Sequence, residues 1–500
     1  MLNSVDFSGK PFHFIGIGGI GMSALAHVLA SQDLPVSGSD LRLSHITRRL
    51  EGKGAHIFNG QQAENLSFFT SQNGGKATLL PQVVCSTAIG ESNAEYREAK
   101  ALGCDIFHRS DILAALMNER KGIAIAGTHG KTTTSSITGY LLLKAGVDPT
   151  IIIGGEVSAW EGNAYVGSSE YVVAEADESD GSLVKLASYL GVITNIEMDH
   201  PDHYSSLDQI VDIFDKFVSQ CETVIGSVDC PTVRELLFEG PRQRIKPDIS
   251  YSLEASSGAD YIAKNIREDA VGTTAEIWER GENLGDILVP LLGLHNLSNA
   301  LGSIAVARQL GVSFEAIATH MPNFQGARRR FERRGFYNDI LFVDDYAHHP
   351  TEVQATLAAA QVERTGELAS GRLPAGKSRQ VVAVFQPHRY SRAATLLSEF
   401  AQSFEGADRV IVTDIYSAGE TNTSGITGQQ VTEAIAQQRP NTTYHATLDE
   451  VTQVLSTTLS PGDIVIFLTA GNLNSILPTV MDAYKQEEAK SVSTPEAALT

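Results

Sequence analysis

The chain has 500 residues, which at about 150 residues per domain corresponds to three domains. Lys and Arg number 38 against 59 Asp and Glu, a net charge of −21. That balance argues against wrapping nucleic acid or docking on an anionic membrane, because both need clustered cations; a hydrophobic share of 42% excludes general disorder.

The N-terminus, Met1 to Lys10, has no basic segment followed by an apolar stretch, so no signal peptide is expected. The first strand, Phe12–Ile17, runs into Gly16-Ile17-Gly18-Gly19-Ile20-Gly21 and a helix through Ala24, Leu25, Val28 and Leu29. Gly16, Gly18 and Gly21 satisfy G-x-G-x-x-G, a turn that lets a phosphate approach the helix N-terminus. A second strand ends at Ser37-Gly38-Ser39-Asp40, with Asp40 placed to meet a ribose. Taken alone, Gly16, Gly18, Gly21 and Asp40 would suggest a nicotinamide-dependent dehydrogenase. Cys85, Cys104, Cys221 and Cys230 form no CxxC pair, so neither a disulfide framework nor a structural zinc site is expected. With no apolar run near the length of a spanning helix, a cytoplasmic protein is the expectation.

Ile123–Ala126 reads as a strand leading into Gly127-Thr128-His129-Gly130-Lys131-Thr132-Thr133-Thr134 and a helix through Ile137, Tyr140 and Leu141. The loop is two residues shorter than G-x-x-x-x-G-K-[ST], but its chemistry is the same: backbone N–H groups around phosphates, a lysine cation, and a hydroxyl at Thr132 for magnesium. The next strands, Tyr171–Ala174 and Val192–Ile196, end in Glu175-Ala176-Asp177-Glu178-Ser179-Asp180 and Glu197-Met198-Asp199-His200. Hard oxygen ligands at strand ends beside a phosphate loop suit magnesium-assisted phosphoryl transfer. Residues from about Glu239 to Leu284 break the alternation and read as a small antiparallel insert, with Thr274–Trp278 as one strand.

Asn296 and Asn299 then share one face of a helix, placed either to bond a nucleotide or to cap the helix. Arg328-Arg329-Arg330 reads on composition as a solvated run. Strands Ile340–Val343 and Val381–Phe385 end in Asp344-Asp345-Tyr346-Ala347-His348-His349-Pro350 and Gln386-Pro387-His388-Arg389-Tyr390-Ser391-Arg392. Arginines at a strand end suit carboxylate recognition. Val410–Thr413 and Ile464–Leu468 complete the strands. Residues 365–377 read as a surface loop and 486–500 as a frayed tail. Short β-branched runs followed by helices make the chain α/β throughout.

In this order, the motifs resemble the Mur ligases, ATP-dependent amide-forming enzymes of peptidoglycan precursor synthesis, and within them the alanine-adding branch. The motifs are Gly16 to Ser23, Gly127 to Thr134, Glu175 to Asp180, Asn195 to His200, His295 to Asn299, Arg329 to Phe331, Asp344 to Val353 and Gln386 to Arg392. The resemblance covers about Phe12 to Asn474 and makes the short loop the normal form.

It implies a Rossmann-like domain for a UDP-sugar over residues 1–118, and a central P-loop ATPase-type parallel sheet with the antiparallel insert over 119–327. A Rossmann-like amino-acid domain over 328–485 and a flexible tail over 486–500 follow. The substrates implied are UDP-N-acetylmuramate, L-alanine and ATP, with two Mg2+ ions, no nucleic-acid or membrane partner, and a monomer or homodimer. Gly16, Gly18, Gly19, Gly21, Ser37, Asp40 and Ser86 would bind the UDP-sugar. Gly127 to Thr133, Asn296, Asn299, Arg330 and Asp345 would bind ATP. Tyr346, His348, His388, Arg389 and Arg392 would form the amino-acid pocket, and Thr132, Glu175 and His200 would hold metal. Lys131, His200, Arg330, Asp345 and His348 would carry the chemistry, His348 as general base. Sister ligases carbamoylate a lysine near Lys216, a modification the alanine-adding branch generally does without, and Lys216 is left outside the expected site.

Overall fold

The computed structural model describes residues 4–69, 80–241, 248–369 and 379–493. It contains three α/β layers in chain order, each with its own sheet. The first sheet holds β1 (Phe12–Ile15), β2 (Val36–Asp40), β3 (His56–Asn59), β4 (Gln82–Cys85) and β5 (Ile106–His108) in the order β3-β2-β1-β4-β5, all parallel. The order reverses between β1 and β4, the crevice where doubly wound sheets bind ligands. The glycine-rich turn leaves β1 at that point.

The central sheet is built on β6 (Lys121–Ala126), β7 (Thr150–Val157), β8 (Gly162–Tyr165), β9 (Tyr171–Glu175), β10 (Leu190–Ile193), β11 (Thr223–Ser227) and β12 (Ile249–Ser252). It continues through β13 (Tyr261–Asp269), β14 (Gly272–Glu279) and β15 (Glu282–Val289) to ten strands, ordered β15-β14-β13-β12-β11-β10-β6-β9-β7-β8. The expected insert is therefore an antiparallel extension of the main sheet, because β13 pairs parallel with β12 and the two hairpins follow. The phosphate-loop strand β6 sits between β9 and β10, so the acid-bearing ends of both neighbours open beside it.

The helix Lys131–Lys144 is buried on nearly every side. Its small residues let the helix Leu294–Gln309 approach closely enough for Ser303 Oγ to donate to the Thr134 carbonyl at 3.0 Å. At the other edge, β8 packs against the first-domain helix Ile20–Ser31, and Asn163 Nδ2 reaches Ser23 Oγ at 2.9 Å.

The third sheet contains β16 (Glu332–Tyr337), β17 (Ile340–Asp345), β18 (Val381–Phe385), β19 (Arg409–Val412), β20 (Thr442–Tyr444) and β21 (Ile464–Leu468). The order is β16-β17-β21-β18-β19-β20, parallel except at β16. Two expected boundaries change. The helix Pro350–Ala369 continues into the expected 365–377 loop, whose residues 370–377 lie outside the described residues. The helix Leu477–Ser493 runs through most of the expected tail, because Leu477, Val480 and Tyr484 anchor it on the sheet; residues 494–500 lie outside the described residues. All four cysteines are free thiols, and no helix among the described residues is long and apolar enough to cross a membrane.

Candidate active site

One cleft of about 920 Å³ is lined by all three layers. Gly16, Gly19, Gly21, Ser86 and Arg109 come from the first, Thr128 to Thr132 with Glu175, Asp177 and His200 from the second, and Arg330, Tyr346, His348, His388, Arg389 and Arg392 from the third.

The phosphate loop owes its shape to two glycines. Gly127 has φ 139° and Gly130 φ 84°, backbone that only glycine adopts freely. A methyl group at Gly127 would lie 2.0 Å from Thr194 Oγ1, and one at Gly130 2.4 Å from Asn299 Oδ1. Gly130 precedes the helix Lys131–Lys144, so its unpaired N–H groups face the cleft.

Lys131 Nζ donates to the Gly127 carbonyl at 2.6 Å and lies 2.8 Å from Glu178 Oε2. Burial opposes its charge, but Glu178, Asp177 and Glu175 outweigh that and raise its pKa above the ordinary value. Glu175 accepts from Gly154 N–H at 2.7 Å, Ser135 Oγ at 3.2 Å and Thr132 Oγ1 at 3.2 Å. Burial pushes its pKa up, against the Gly154 N–H and Lys131. Thr132 and Glu175 thus offer two hard oxygens on the floor of the loop, a donor set suited to magnesium. His200, with φ 55°, points Nε2 at Glu178 Oε1 (3.4 Å) and Asp199 Oδ2 (3.6 Å); it stands beside the carboxylates, a softer ligand already engaged.

Behind the loop, a cavity of about 170 Å³ is lined by Asn296, Asn299, Arg330, Phe331, Asp345 and Ala355 among others. Asn299 Oδ1 accepts from Thr134 Oγ1 at 3.2 Å, while Asn296 Nδ2 donates to the Leu292 carbonyl at 2.7 Å. Asp345 accepts from the N–H groups of Phe331 (2.6 Å) and Ala347 (2.8 Å) and from Thr356 Oγ1 (3.2 Å). It therefore holds two loops together. Burial pushes its pKa up to about 6, although Arg330 and those N–H groups pull the other way. Arg330 belongs to the site and not to a solvated run: its guanidinium lies over Tyr346, 5.3 Å from the ring centre, and 3.5 Å from Thr132 Oγ1.

His348 Nδ1 faces the Tyr346 carbonyl at 2.9 Å, which fixes the proton on Nδ1 and leaves the Nε2 lone pair open. Burial lowers its pKa to about 4, against the pull of Glu352. His388 stacks on Tyr416, and burial with His348 and Arg392 brings its pKa down to about 2. The two expected carboxylate-binding arginines are already paired. Arg392 lies 2.9 Å from Asp199 Oδ1, both almost fully buried, and Arg389 lies 2.7 Å from Asp202 and 3.2 Å from Glu420.

In the first layer, Gly18 is required by Asp40, whose carboxylate accepts the Gly18 N–H at 2.9 Å and would meet a methyl group there at 2.8 Å. Ser37, expected at the UDP-sugar, has a different set of neighbours. Strand alternation turns it away from the cleft, fully buried, onto His13 Nδ1 at 2.8 Å. Lys216 is exposed on the helix Leu207–Gln220, outside the cleft.

Sequence reasoning did not single out Arg109 or Glu352, and it left Glu178 undecided. Arg109 reaches from the first layer to Asp177 at 2.8 Å and Asp180 at 3.4 Å; with Lys131 it outweighs burial and holds Asp177 below the usual carboxylate range. Glu352 accepts from the N–H groups of His348 (3.0 Å) and His349 (3.3 Å) at the start of its helix. Its place in the first helical turn, within the motif Asp344 to Val353, is the signal the sequence carried for it.

A short phosphate loop beside acid-bearing strand ends, in a chain of three α/β layers that share one cleft, defines a nucleotide-dependent ligase architecture. Three family models match in succession: "Mur ligase family, catalytic domain" over residues 11–121, "Mur ligase middle domain" over 125–307 and "Mur ligase, glutamate ligase domain" over 329–471. The chain belongs to the Mur ligase family. The UDP-N-acetylmuramate–L-alanine ligase of Trichormus variabilis is 58% identical, covering 96% of this chain and 98% of that one. That of Nostoc punctiforme is 56% identical, covering 99% and 100%. Among solved structures, UDP-N-acetylmuramate-alanine ligase MurC from Thermotoga maritima superposes with a TM-score of 0.77 at 24% identity, covering 96% of this chain and 99% of that one. A murein peptide ligase from Psychrobacter arcticus gives 0.67 at 24% identity, covering 95% and 99%; both share the fold.

Proposed function

We propose that the chain is an ATP-dependent ligase of peptidoglycan precursor synthesis. It joins L-alanine to the lactyl carboxylate of UDP-N-acetylmuramate through an acyl phosphate, releasing ADP and phosphate. The observation that carries this reading is the single cleft into which three layers bring a glycine-rich turn, a phosphate loop and an imidazole–guanidinium group. Relatives more than half identical over nearly the whole chain, bearing that activity in their names, support it.

The turn at Gly16–Gly21, with Ser86 and Arg109, would receive the UDP-sugar; the cavity behind the loop would receive the nucleoside of ATP. Thr132 and Glu175 would hold Mg2+, which when bound neutralises charge on the phosphates, and a second ion would lie toward His200. Lys131 and the N–H groups at the helix start stabilise the transferring phosphoryl group. Arg330, braced on Tyr346, adds a second cation on the same side. The amine of L-alanine then attacks the acyl carbon. His348, neutral at pH 7, accepts the amine's proton on Nε2; with a pKa near 4 it does so late, once C–N bond formation has made that nitrogen acidic. Approach of the three layers excludes water from the acyl phosphate. The enzyme so described is cytoplasmic, a monomer or homodimer, with no nucleic-acid or membrane partner.

The test is an acceptor screen with ATP, Mg2+ and UDP-N-acetylmuramate, reading phosphate release with L-alanine, glycine, L-serine or a muramyl tripeptide. L-Alanine gives the highest kcat/KM. Turnover with the tripeptide alone would overturn the assignment in favour of a peptide-recycling ligase.

A further inference from the structure

Between the phosphate loop and the start of the helix Pro350–Ala369 lies a cluster that the ligation chemistry does not use as a unit. One ring nitrogen each of His129 and His349 and a carboxylate oxygen of Glu197 lie within 4.8 Å of one another. His129 and Glu197 come from the central layer, His349 from the third. His349 is only 5% exposed, and its Nε2 is buried without a hydrogen-bond partner. Its Nδ1 receives a long bond, 3.3 Å, from the Thr351 N–H. The two imidazole rings are 4.6 Å apart.

The surroundings of His129 are those of a metal ligand. Its Nδ1 lies 3.2 Å from Glu352 Oε1, while Nε2 faces Glu197 Oε2 at 3.4 Å. A carboxylate behind one ring nitrogen, with the other turned toward a second ligand, is how metal-binding histidines are oriented. Glu352 is itself fixed by the backbone N–H groups of His348 and His349, and Glu197 Oε2 accepts from Thr351 Oγ1 at 3.1 Å. Two imidazoles and one carboxylate select zinc-class ions over magnesium, which prefers oxygen throughout. Such a set leaves a fourth position for water.

We infer that His129, Glu197 and His349 form a binding site for a zinc-class divalent ion that bridges the phosphate loop and the third layer, with Glu352 orienting His129. Binding through His349 Nε2 takes the tautomer protonated on Nδ1 and gives up the long Thr351 bond. The ion would tie the phosphate loop of the central layer to the helix start of the third, and it is distinct from the magnesium assigned to Thr132 and Glu175.

The metal-free full-length chain is titrated with Zn2+ against a chromogenic chelator, without nucleotide, so the outcome is independent of the ligation reading. One equivalent binds per chain. His349→Asn and Glu197→Gln each weaken it at least about tenfold, and Glu352→Gln by about 10- to 100-fold. Co2+ in place of Zn2+ gives the intense visible bands of a four-coordinate site. Absence of one-to-one binding, unchanged affinity in His349→Asn, or the faint spectrum of six-coordinate aqueous cobalt overturns the assignment. Should His349→Asn fail to fold, the cobalt spectrum of the native chain and the Glu197→Gln titration decide it.

Discussion

Replacing Asp199 with Asn isolates one ion pair that crosses between layers. Arg392 reaches Asp199 Oδ1 through Nε at 3.0 Å and Nη2 at 2.9 Å, with side-chain exposures of 3% and 5%. Without the charge, the guanidinium stays buried with His388 Nδ1 at 3.2 Å as its remaining contact among these side chains. Removing one partner of a buried pair costs about 3–5 kcal/mol. Because the partners sit in different layers, that cost falls on the docking of the third layer against the central one. Opening becomes easier by about 3 kcal/mol, which corresponds to at least about 10²-fold faster amide exchange in the segments around Asp199 and Arg392. Hydrogen–deuterium exchange read by mass spectrometry measures it. Replacing both partners, Asp199→Leu with Arg392→Met, leaves no orphaned charge and exchanges more slowly than the single variant. Acid acts in the same direction. Burial alone would raise the Asp199 pKa, but Arg392 foremost, then His200 and His348, hold it below the usual carboxylate range. The pair's contribution is thus complete above the ordinary carboxylate pKa of about 4 and is lost only as pH falls through the lower folded value. A change of less than twofold in exchange for Asp199→Asn would refute the reasoning, since the pair would then not hold the layers together.

Lys131→Ala lowers L-alanine-dependent phosphate release by at least about 10²-fold, the scale of losing one strong transition-state donor; near-normal turnover would sink the phosphate-loop assignment. Gly127→Ala forces a methyl group to within 2.0 Å of Thr194 Oγ1 at a φ of 139°. It destabilises by about 1–3 kcal/mol, read as an earlier thermal transition that Thr194→Ala restores only in part, because the backbone strain remains. Asp345 has its pKa raised to about 6, so the folded chain holds that proton more tightly than the unfolded one. Its contribution is whole below about pH 4 and is lost as pH rises through 6, an upper limit of about 3 kcal/mol. Asp345→Asn flattens the pH dependence of stability in that window, and an unchanged slope would show the carboxyl to be ordinary.

What the sequence made legible was local. The phosphate loop could be read because Gly127, Gly130, Lys131 and Thr132 are neighbours between a buried strand and a helix, and the same holds for Gly16 to Gly21 after β1. Asp345 and Arg330 were placed through resemblance, and the structure adds what they touch. Glu178 could not be chosen among its acidic neighbours, because its partner Lys131 lies 47 residues away, brought close by the pairing of β6 with β9. Arg109 and Glu352 meet Asp177 and His129 across 68 and 223 residues, contacts that depend on how whole layers dock. Ser37, placed with the UDP-sugar through resemblance alone, is fully buried on β2, a position set by the two-residue period of the strand. The antiparallel pattern near Thr274 was visible, but not that it would extend the central sheet.

The edge strand β8 carries a consequence for how this protein can be divided. A sheet edge exposes unpaired N–H and C=O groups that recruit other strands, and here the helix Ile20–Ser31 of the first layer lies against it, with Asn163 Nδ2 reaching Ser23 Oγ. That same helix begins in the glycine turn assigned to the UDP-sugar. The first layer therefore also covers that edge of the central sheet, and a chain truncated to start near Lys121 would leave β8 uncovered and self-associate more readily.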